Sequence, residues 1–269
     1  MRRLITGIAL TACAAGAALG IASRGGSEAA TAARAPVVTP APLAQHPHAT
    51  DAYTEGLVWL PGDRIFESTG LYGASSLRQV RRSTGAVIRS RSLSGAYFGE
   101  GLAATGSRLI QLTWKENTAF VWDRRTFRRV RTFRYAGEGW GLTTTGGRLV
   151  MSNGSAVLRF LDPATFREVR RVRVTDGGRP VTRLNELEAV RGEIWANVWQ
   201  RDDIVVIDPA TGRVRARLDL SGLRSRLPAG GQPEVLNGIA WDRARDRVLV
   251  TGKYWPLMFE LPSRELGVP

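Results

Sequence analysis

The feature that most constrains the fold is a short pattern that recurs five times along the chain. Each copy is a polar or aromatic residue, then Gly or Glu, then Leu or Ile. The copies are Glu55-Gly56-Leu57, Glu100-Gly101-Leu102, Trp140-Gly141-Leu142, Asn185-Glu186-Leu187 and Asn237-Gly238-Ile239. They are separated by 45, 40, 45 and 52 residues. A fixed spacing of this size indicates a repeat architecture in which each repeat is one supersecondary unit.

Each copy is followed by turns and further segments rich in β-forming residues. The predicted second strands are 64–68, 108–112, 148–152, 193–197 and 247–251, and the third strands are 77–80, 119–122, 158–161, 204–207 and 258–261. An arginine-rich fourth strand follows in the first four units. Four strands in about 40–45 residues are typical of a propeller blade.

The sequence therefore predicts an all-β, five-bladed β-propeller around a central channel. A β-sandwich, the rival all-β fold, would not explain five repeats of similar length. The fifth unit has no room for a fourth strand. We expect extended residues around 36–43 to supply this strand and so to close the ring from the N-terminus.

The first 34 residues have the character of a targeting segment, and 35–269 are predicted to form the propeller domain. Arg2 and Arg3 precede a long apolar run rich in Ala and Gly, as in a secretory signal peptide. Residues 10–13 (LTAC) resemble a lipobox, so lipidation of Cys13 is one alternative and an uncleaved membrane anchor is another. We expect export to the periplasm or the extracellular space, with membrane attachment only if Cys13 is lipidated. Cys13 is the only cysteine, so the propeller has no disulfide.

The chain is strongly basic, with 38 Lys and Arg against 24 Asp and Glu, a net charge of +14. The basic residues alternate along the predicted outer strands, as at Arg89 and Arg91, where charge protects exposed strand edges from pairing. We therefore expect no nucleic-acid partner. Only Lys115 and Lys253 are lysines. In so arginine-rich a chain, a retained lysine marks a position where a compact ammonium group is needed.

Several classes of enzyme are excluded by the residues that are present. His46 and His48 are the only histidines, and they are expected in an exposed turn rather than as metal ligands or bases. A three-histidine zinc site is therefore short of ligands. The sequence contains no G-x-S-x-G, Walker A or EF-hand motif. What remains for chemistry is a set of carboxylates, amides, one lysine and several tryptophans.

These residues are predicted to meet at one end of the channel, where the recurring triplets begin the innermost strands. Glu55, Glu100 and Asn185 head three of the triplets, and Trp114, Trp199 and Lys253 occupy comparable positions after second strands. Aromatic rings around a carboxylate raise its pKa toward the range that suits acid–base catalysis. The alternatives are a water-filled polar channel, tryptophans in the core between blades, and a structural salt bridge at Lys253.

The same segments resemble the glutamine cyclotransferase family, the plant and bacterial type of glutaminyl-peptide cyclotransferases. The motifs that carry the resemblance are 53–57 (YTEGL), 66–73 (FESTGLYG), 98–101 (FGEG), 112–115 (LTWK), 138–142 (EGWGL), 183–188 (RLNELE), 197–199 (NVW), and 236–239 (LNGI) with 251–253 (TGK). The resemblance runs from about residue 46 to about residue 262. The resemblance implies a five-bladed propeller that converts N-terminal glutamine of peptides to pyroglutamate and releases ammonia.

The resemblance also implies roles for particular residues. Glu100 matches the family's catalytic acid/base, and Asn185 and Lys253 match polar residues of its active site. The substrate-binding aromatic pocket corresponds to Tyr53, Phe98, Trp114, Trp140 and Trp199. Plant members carry Phe and Gln at the positions of Tyr53 and Glu55. Glu55 is therefore expected to hold the substrate's α-ammonium group or to pair with Lys253.

Two other functions are compatible with the residues alone. One is a five-bladed glycosidase that uses Glu55 and Glu100 as its carboxylate pair. The other is a propeller that binds peptides without catalysis, because fold does not fix function. For the cyclotransferase we expect peptide substrates with N-terminal glutamine, a monomer and no required cofactor. A structural calcium ion in the channel is a further expectation from the resemblance.

Overall fold

The structure of the protein is a computed structural model, and it describes residues 33–264. The predicted targeting segment, including Cys13 and its cleavage region, lies outside the described residues except for 33 and 34. Within the described part of the chain no helix is long and apolar enough to cross a membrane.

The described residues form short strands and one short 3₁₀ helix. Two strands precede the repeats: β1 (Val37–Val38) and β2 (Ala44–Pro47). Blade 1 contains β3 (Thr54–Leu60), β4 (Arg64–Thr69), β5 (Ser76–Arg81) and β6 (Val87–Ser92). Blade 2 contains β7 (Gly99–Thr105), β8 (Arg108–Thr113), β9 (Thr118–Asp123) and β10 (Arg129–Arg134). Blade 3 contains β11 (Leu142–Thr145), β12 (Arg148–Met151), β13 (Val157–Leu161) and β14 (Glu168–Arg173).

A small hairpin of β15 (Thr175–Asp176) and β16 (Arg179–Pro180) separates blades 3 and 4. Blade 4 contains β17 (Leu184–Val190), β18 (Glu193–Val198), β19 (Asp203–Ile207) and β20 (Val214–Asp219). The 3₁₀ helix (Ser221–Arg226) leads to blade 5, which contains β21 (Leu236–Asp242), β22 (Arg247–Gly252) and β23 (Leu257–Pro262).

The predicted five-bladed propeller is confirmed. Strands within each blade pair in chain order and antiparallel, and the first strands of neighbouring blades contact one another around the channel. Blade 5 is completed by β2, which pairs antiparallel with β23 so that Gln45 lies opposite Phe259. An N-terminal strand therefore closes the ring.

The predicted position of the closing strand was wrong by a few residues. The closing strand is Ala44–Pro47 rather than a segment within 36–43. Val37 and Val38 instead pair in parallel with β20, where Val37 lies opposite Arg217. The N-terminal segment thus covers the outer edge of blade 4 before it completes blade 5.

The hydrophobic core is divided into five clusters, one between each pair of neighbouring blades. Successive side chains of a strand point to opposite faces of its sheet. Ile65 accordingly belongs to the same cluster as Leu249 of blade 5, whereas the next residue, Phe66, belongs to the same cluster as Leu109 of blade 2. Alternation along each strand therefore joins every blade to both neighbours.

The Gly of the recurring triplet allows neighbouring inner strands to approach closely. A Cβ atom at Gly101 would collide with the backbone of Leu142, and one at Gly141 with the carbonyl of Asn185. Blade 4 has Glu186 at this position. Its carboxylate lies in the channel, where it accepts hydrogen bonds from the Ile239 amide at 2.8 Å and the Leu57 amide at 3.4 Å. Glu186 therefore links blade 4 to blades 5 and 1.

The expectation of an exposed turn at the two histidines was wrong. His46 lies within β2, half-buried beside Glu260 at 3.1 Å. His48 is buried, and its Nε2 lies 2.9 Å from Glu67 Oε1. The reason is that β2 is the outermost strand of blade 5 and His48 directly follows it, so the two rings reach Glu260 of blade 5 and Glu67 of blade 1.

Candidate active site

A buried ion pair lies at the channel end where the inner strands begin. Glu55 is on β3, and Lys253 directly follows β22. Lys253 Nζ donates to Glu55 Oε1 at 2.6 Å, and Asn237 Nδ2 donates to Glu55 Oε2 at 3.1 Å. Both oxygens of Glu55 are therefore held by donors from blade 5. The structure places Glu55 as the partner of Lys253, which is one of the two roles expected for it.

Glu100, on β7, is a second buried carboxyl group at this end of the channel. Among residues 33–264, its Oε2 atom has no hydrogen-bond partner. Burial, and then the charge of Glu55, raises the pKa of Glu100 well above its usual range, although Lys253 opposes this rise. A buried carboxyl group with one unengaged oxygen is suited to accept or deliver a proton.

The protonation of the ion pair follows from the same charges. Burial alone would lower the pKa of Lys253, but Glu55 and Glu100 outweigh it and raise that pKa. Burial raises the pKa of Glu55, and Lys253 acts against this rise. Lys253 therefore remains an ammonium group that interacts with both carboxyl groups.

Aromatic rings form a wall beside these charges. Phe98 makes edge contacts with Tyr53 at 6.1 Å and with Trp114 at 5.5 Å between ring centroids. Tyr53 in turn contacts Tyr254 at 5.2 Å, and Lys253 Nζ lies 4.3 Å from the Tyr53 ring centroid. The wall limits the access of water to the carboxyl groups, which strengthens their electrostatic interactions.

Trp140 and Trp199 extend the wall on the side of blades 3 and 4. Their rings meet edge to face at 5.7 Å, and both are partly exposed. Trp199 follows β18 as Trp114 follows β8, whereas Gly154 occupies the corresponding region of blade 3. A Cβ atom at Gly154 would lie 2.8 Å from the Trp140 ring, and its φ of +77° also favours glycine. The small residue therefore makes room for the neighbouring ring.

The structure brings most of the predicted residues into one site. Glu55, Lys253, Tyr53, Phe98 and Trp114 are connected by the contacts above, and Trp140 joins Trp114 through Glu138. Glu100 interacts with Glu55 and Lys253 through their charges. Asn185 is buried on the neighbouring inner strand β17, where its backbone carbonyl accepts a hydrogen bond from Ser152 Oγ at 2.6 Å. One detail differs in blade 3. Because β11 begins at Leu142, Trp140 precedes the inner strand instead of opening it.

Two contributors to the site were missed by sequence reasoning. Asn237 holds Glu55, and Glu138 accepts hydrogen bonds from two tryptophans. Asn237 is the first residue of the fifth triplet, the position that Glu55, Glu100 and Asn185 occupy in theirs, so its place in the repeat could have identified it. Glu138 lies two residues before Trp140, but nothing in the sequence shows that its carboxylate reaches Trp114.

The expectation of a calcium ion in the channel is not supported by the side chains there. Residues 33–264 contain no group of three His, Cys, Asp or Glu side chains placed to hold a metal ion. The carboxylate oxygens of Glu186 face amide donors instead, as does the Asn197 carbonyl oxygen, which accepts from the Gly238 amide at 3.0 Å. The donor contacts at Glu186 and Asn197 therefore do not fit a cation at these two side chains.

A different kind of space lies at the opposite end of the channel. A cavity of about 570 Å³ is lined by the later residues of the inner strands, including Thr143, Glu188 and Trp241. Glu188 accepts hydrogen bonds from the Trp241 amide at 3.2 Å and from Thr143 Oγ1 at 3.1 Å. Both Glu188 oxygens therefore accept hydrogen bonds from neighbouring blades.

The fold and site define a propeller with a buried carboxyl–lysine centre under an aromatic wall. The family model for glutamine cyclotransferase matches residues 12–262. A glutaminyl-peptide cyclotransferase of Arabidopsis thaliana is 42% identical over 226 residues, which are 83% of this chain and 71% of that protein. The crystal structure of Myxococcus xanthus glutaminyl cyclase superposes with a TM-score of 0.79 at 41% identity, covering 84% of this chain and 97% of that one. The chain belongs to the glutamine cyclotransferase family.

Proposed function

We propose that the protein is a glutaminyl-peptide cyclotransferase, which closes the N-terminal glutamine of a peptide into pyroglutamate and releases ammonia. In class it is an acyl-transfer enzyme, because the γ-acyl group passes from the amide nitrogen to the α-amine. The observation that carries the proposal is the buried Glu100 carboxyl group, with one unengaged oxygen, beside Lys253 and the aromatic wall. Membership of the family and the two similar proteins support it.

The reaction requires that one residue of the substrate be held in a folded shape. The α-amine nitrogen attacks the γ-amide carbon, and both groups belong to the same glutamine. Correct orientation of two reacting groups removes several kcal/mol from a barrier. The wall of Tyr53, Phe98, Trp114, Trp140 and Trp199 supplies a surface on which the glutamine side chain folds.

Glu100 is proposed to carry the proton. As the new C–N bond forms, the attacking nitrogen loses a proton to the Glu100 carboxylate, and the tetrahedral intermediate carries an oxyanion. Glu100 then returns the proton to the amide nitrogen, and the C–N bond breaks to release NH₃. A raised pKa brings Glu100 closer to the operating pH, where such transfers are efficient.

Lys253 and Asn185 are proposed to stabilise the oxyanion. Lys253 is buried and protonated, so its charge acts in a medium of low polarity. Glu55 keeps the ammonium group in position through the 2.6 Å contact. Every step uses side chains of this chain, so the proposal includes no cofactor.

The wider setting of the reaction is part of the same proposal. The sequence of residues 1–34 supports export, where peptide and protein substrates with N-terminal glutamine are met, and anchoring follows only if Cys13 is lipidated. Because all residues of the candidate site belong to one chain, a monomer is sufficient for activity.

Ammonia release from a glutamine-initiated dipeptide amide tests the proposal. We expect turnover of this peptide, none of its N-acetylated form, and little of a peptide with N-terminal asparagine, whose ring would be four-membered. Comparable turnover of the N-acetylated peptide would exclude attack by the α-amine. Saturable binding of the peptide without ammonia release would instead favour the peptide-binding module.

A further inference from the structure

One carboxylate oxygen connects two parts of the aromatic wall. Glu138 Oε2 accepts a hydrogen bond from Trp114 Nε1 at 2.8 Å and another from Trp140 Nε1 at 2.9 Å. Trp114 follows the second strand of blade 2, and Trp140 precedes the first strand of blade 3. Glu138 therefore joins rings that belong to different blades.

The segment that carries Glu138 is itself fixed to both blades. The Gly139 amide donates to the Trp114 carbonyl at 3.0 Å, and the Trp140 amide donates to the Ser152 carbonyl at 3.1 Å. A short, doubly anchored segment gives the carboxylate little freedom to move. Because an indole N–H group is only a donor, each tryptophan depends on an acceptor at this place.

The connection extends along the wall in both directions. Trp114 contacts Phe98 at 5.5 Å, and Trp140 contacts Trp199 at 5.7 Å between centroids. A single oxygen atom therefore links these two aromatic pairs. A shift of either tryptophan would change the spacing between the two pairs.

We propose that Glu138 is a positioning residue for this site: its carboxylate fixes the distance between the Trp114 and Trp140 rings. The proposal rests on the proposed function, since it concerns how the same site holds glutamine. Nothing in this role requires Glu138 to touch the substrate.

The electrostatic part of the role concerns four groups that face Glu100. Glu55 from blade 1 and Lys253 from blade 5 have the larger effects, and Glu138 and Glu116 follow. After burial and Glu55, the charge of Glu138 raises the pKa of Glu100, whereas Lys253 lowers it. Loss of the charge at position 138 should therefore lower the pKa of Glu100.

Two substitutions separate the hydrogen bonds from the charge. Glu138→Gln keeps an acceptor oxygen for the indoles but removes the charge, whereas Glu138→Leu removes both. Glu193→Gln is the matched control, because Glu193 begins β18 at the far end of blade 4. The measurements are kcat, KM and the pH profile of kcat/KM with a glutamine-initiated dipeptide amide, together with tryptophan fluorescence and near-ultraviolet circular dichroism of the free protein.

We expect Glu138→Gln to keep KM within about threefold of wild type, while the acidic limb of its pH profile moves to lower pH. Glu138→Leu should raise KM by about tenfold or more, because two donors lose a charged acceptor, and should alter the tryptophan spectra. Glu193→Gln should match wild type in all of these. A Glu138→Leu variant with wild-type KM and spectra would overturn the positioning role, and an unmoved acidic limb in Glu138→Gln would overturn the electrostatic one.

The experiment also distinguishes this proposal from the proposed function. If the wild-type protein released no ammonia from the peptide, the proposed function would fail. The spectra of the free variants would still decide whether Glu138 fixes the two tryptophans, because they require no turnover.

Discussion

The two ends of the channel are built from the same five inner strands but differ in how their carboxyl groups are satisfied. At the end where the strands begin, Glu100 has an unengaged buried oxygen and Lys253 is buried with Glu55. At the other end, both oxygens of Glu188 accept hydrogen bonds from neighbouring blades, although the adjoining cavity measures about 570 Å³.

The difference shows that the volume of a cavity does not by itself locate the chemistry. A buried polar atom without a partner is costly in a folded protein, and such a cost is commonly retained where the group has a function. The engaged oxygens of Glu188 hold blades 3, 4 and 5 together. Glu100 is therefore assigned to proton transfer and Glu188 to the ring of blades.

The strongest test of this comparison is the same substitution at both ends. Glu100→Gln keeps the shape of the side chain but removes the proton carrier, so we expect kcat to fall about 10²–10⁴-fold. Glu188→Gln should leave kcat within about twofold, because the hydrogen-bonded bridge lies away from the reacting atoms. Steady-state assays measure kcat of both variants, and thermal melts confirm that they fold.

The comparison would break if the two variants behaved alike. Near-wild-type kcat in Glu100→Gln would move the proton transfer to another group, with Glu55 the first candidate. A large loss in Glu188→Gln, with an unchanged melting temperature, would mean that the far end of the channel takes part in the reaction.

The site end also contains a buried pair that serves the fold rather than the chemistry. His48 Nε2 lies 2.9 Å from Glu67 Oε1, and His48 Nδ1 lies 2.7 Å from the Trp255 carbonyl. Burial alone would lower the pKa of His48, but the charge of Glu67 outweighs it and raises that pKa. The pair joins the closing N-terminal segment to blades 1 and 5.

Removal of this histidine should cost much more stability than removal of its neighbour. His48→Leu leaves the Glu67 charge buried without its cation, so we expect the free energy of unfolding at pH 6 to fall by about 3–5 kcal/mol. His46→Leu, at a half-buried position, is the control and should cost much less. Urea unfolding measures both.

The pH dependence of the His48 contribution has a definite sign. Because the pKa of His48 is raised on folding, its stabilisation is complete below the unfolded pKa of about 6.5 and is lost as the pH rises through the higher folded value. The difference between wild type and His48→Leu should therefore shrink in alkaline solution. A difference that grew with pH would contradict the buried ion pair.

Much of this architecture could be predicted from the sequence, because repetition and alternation are local patterns. Five triplets gave the number of blades, and the residues after second strands gave Trp114, Trp199 and Lys253. The sequence could not reveal that Glu186 crosses the channel or that Glu138 reaches two indoles, since these contacts join distant segments. His48 was misplaced for the same reason, because its partners Glu67 and Trp255 are brought near only when the ring closes.

Lys253 offers a test in which the charge is kept and only its shape changes. Its ammonium group fits between Glu55 at 2.6 Å and the Tyr53 ring at 4.3 Å. A planar guanidinium is wider and should displace these neighbours. We expect Lys253→Arg to fold normally and to lose at least about tenfold in kcat/KM, roughly 1.4 kcal/mol of transition-state stabilisation.

Lys115 is the matched control for this substitution. Its Nζ atom lies 3.7 Å from the Trp114 ring centroid on an exposed part of the loop. Arginine also stacks on tryptophan, so Lys115→Arg should change kcat/KM little. If the two variants were equally active, the compact shape of Lys253 would have no role in the reaction.

The smallest effect is expected at the far end of the channel, where Glu188 should be visible in stability rather than in activity. Burial raises the pKa of Glu188 to about 7, although hydrogen bonds from Trp241 and Thr143 oppose the rise. A carboxyl group whose pKa is raised on folding stabilises the protein below the unfolded value near 4.5, and this contribution is lost as the pH rises through about 7. Because the side chain is not fully enclosed, we expect a loss of about 1 kcal/mol between pH 5 and 8 in wild type.

Glu188→Gln should lack this part of the pH dependence, and paired urea titrations at the two pH values would show it. Parallel pH profiles for the two proteins would contradict the raised pKa. The engaged oxygens of Glu188 would then keep it ionised throughout, and the contrast with Glu100 would become sharper still.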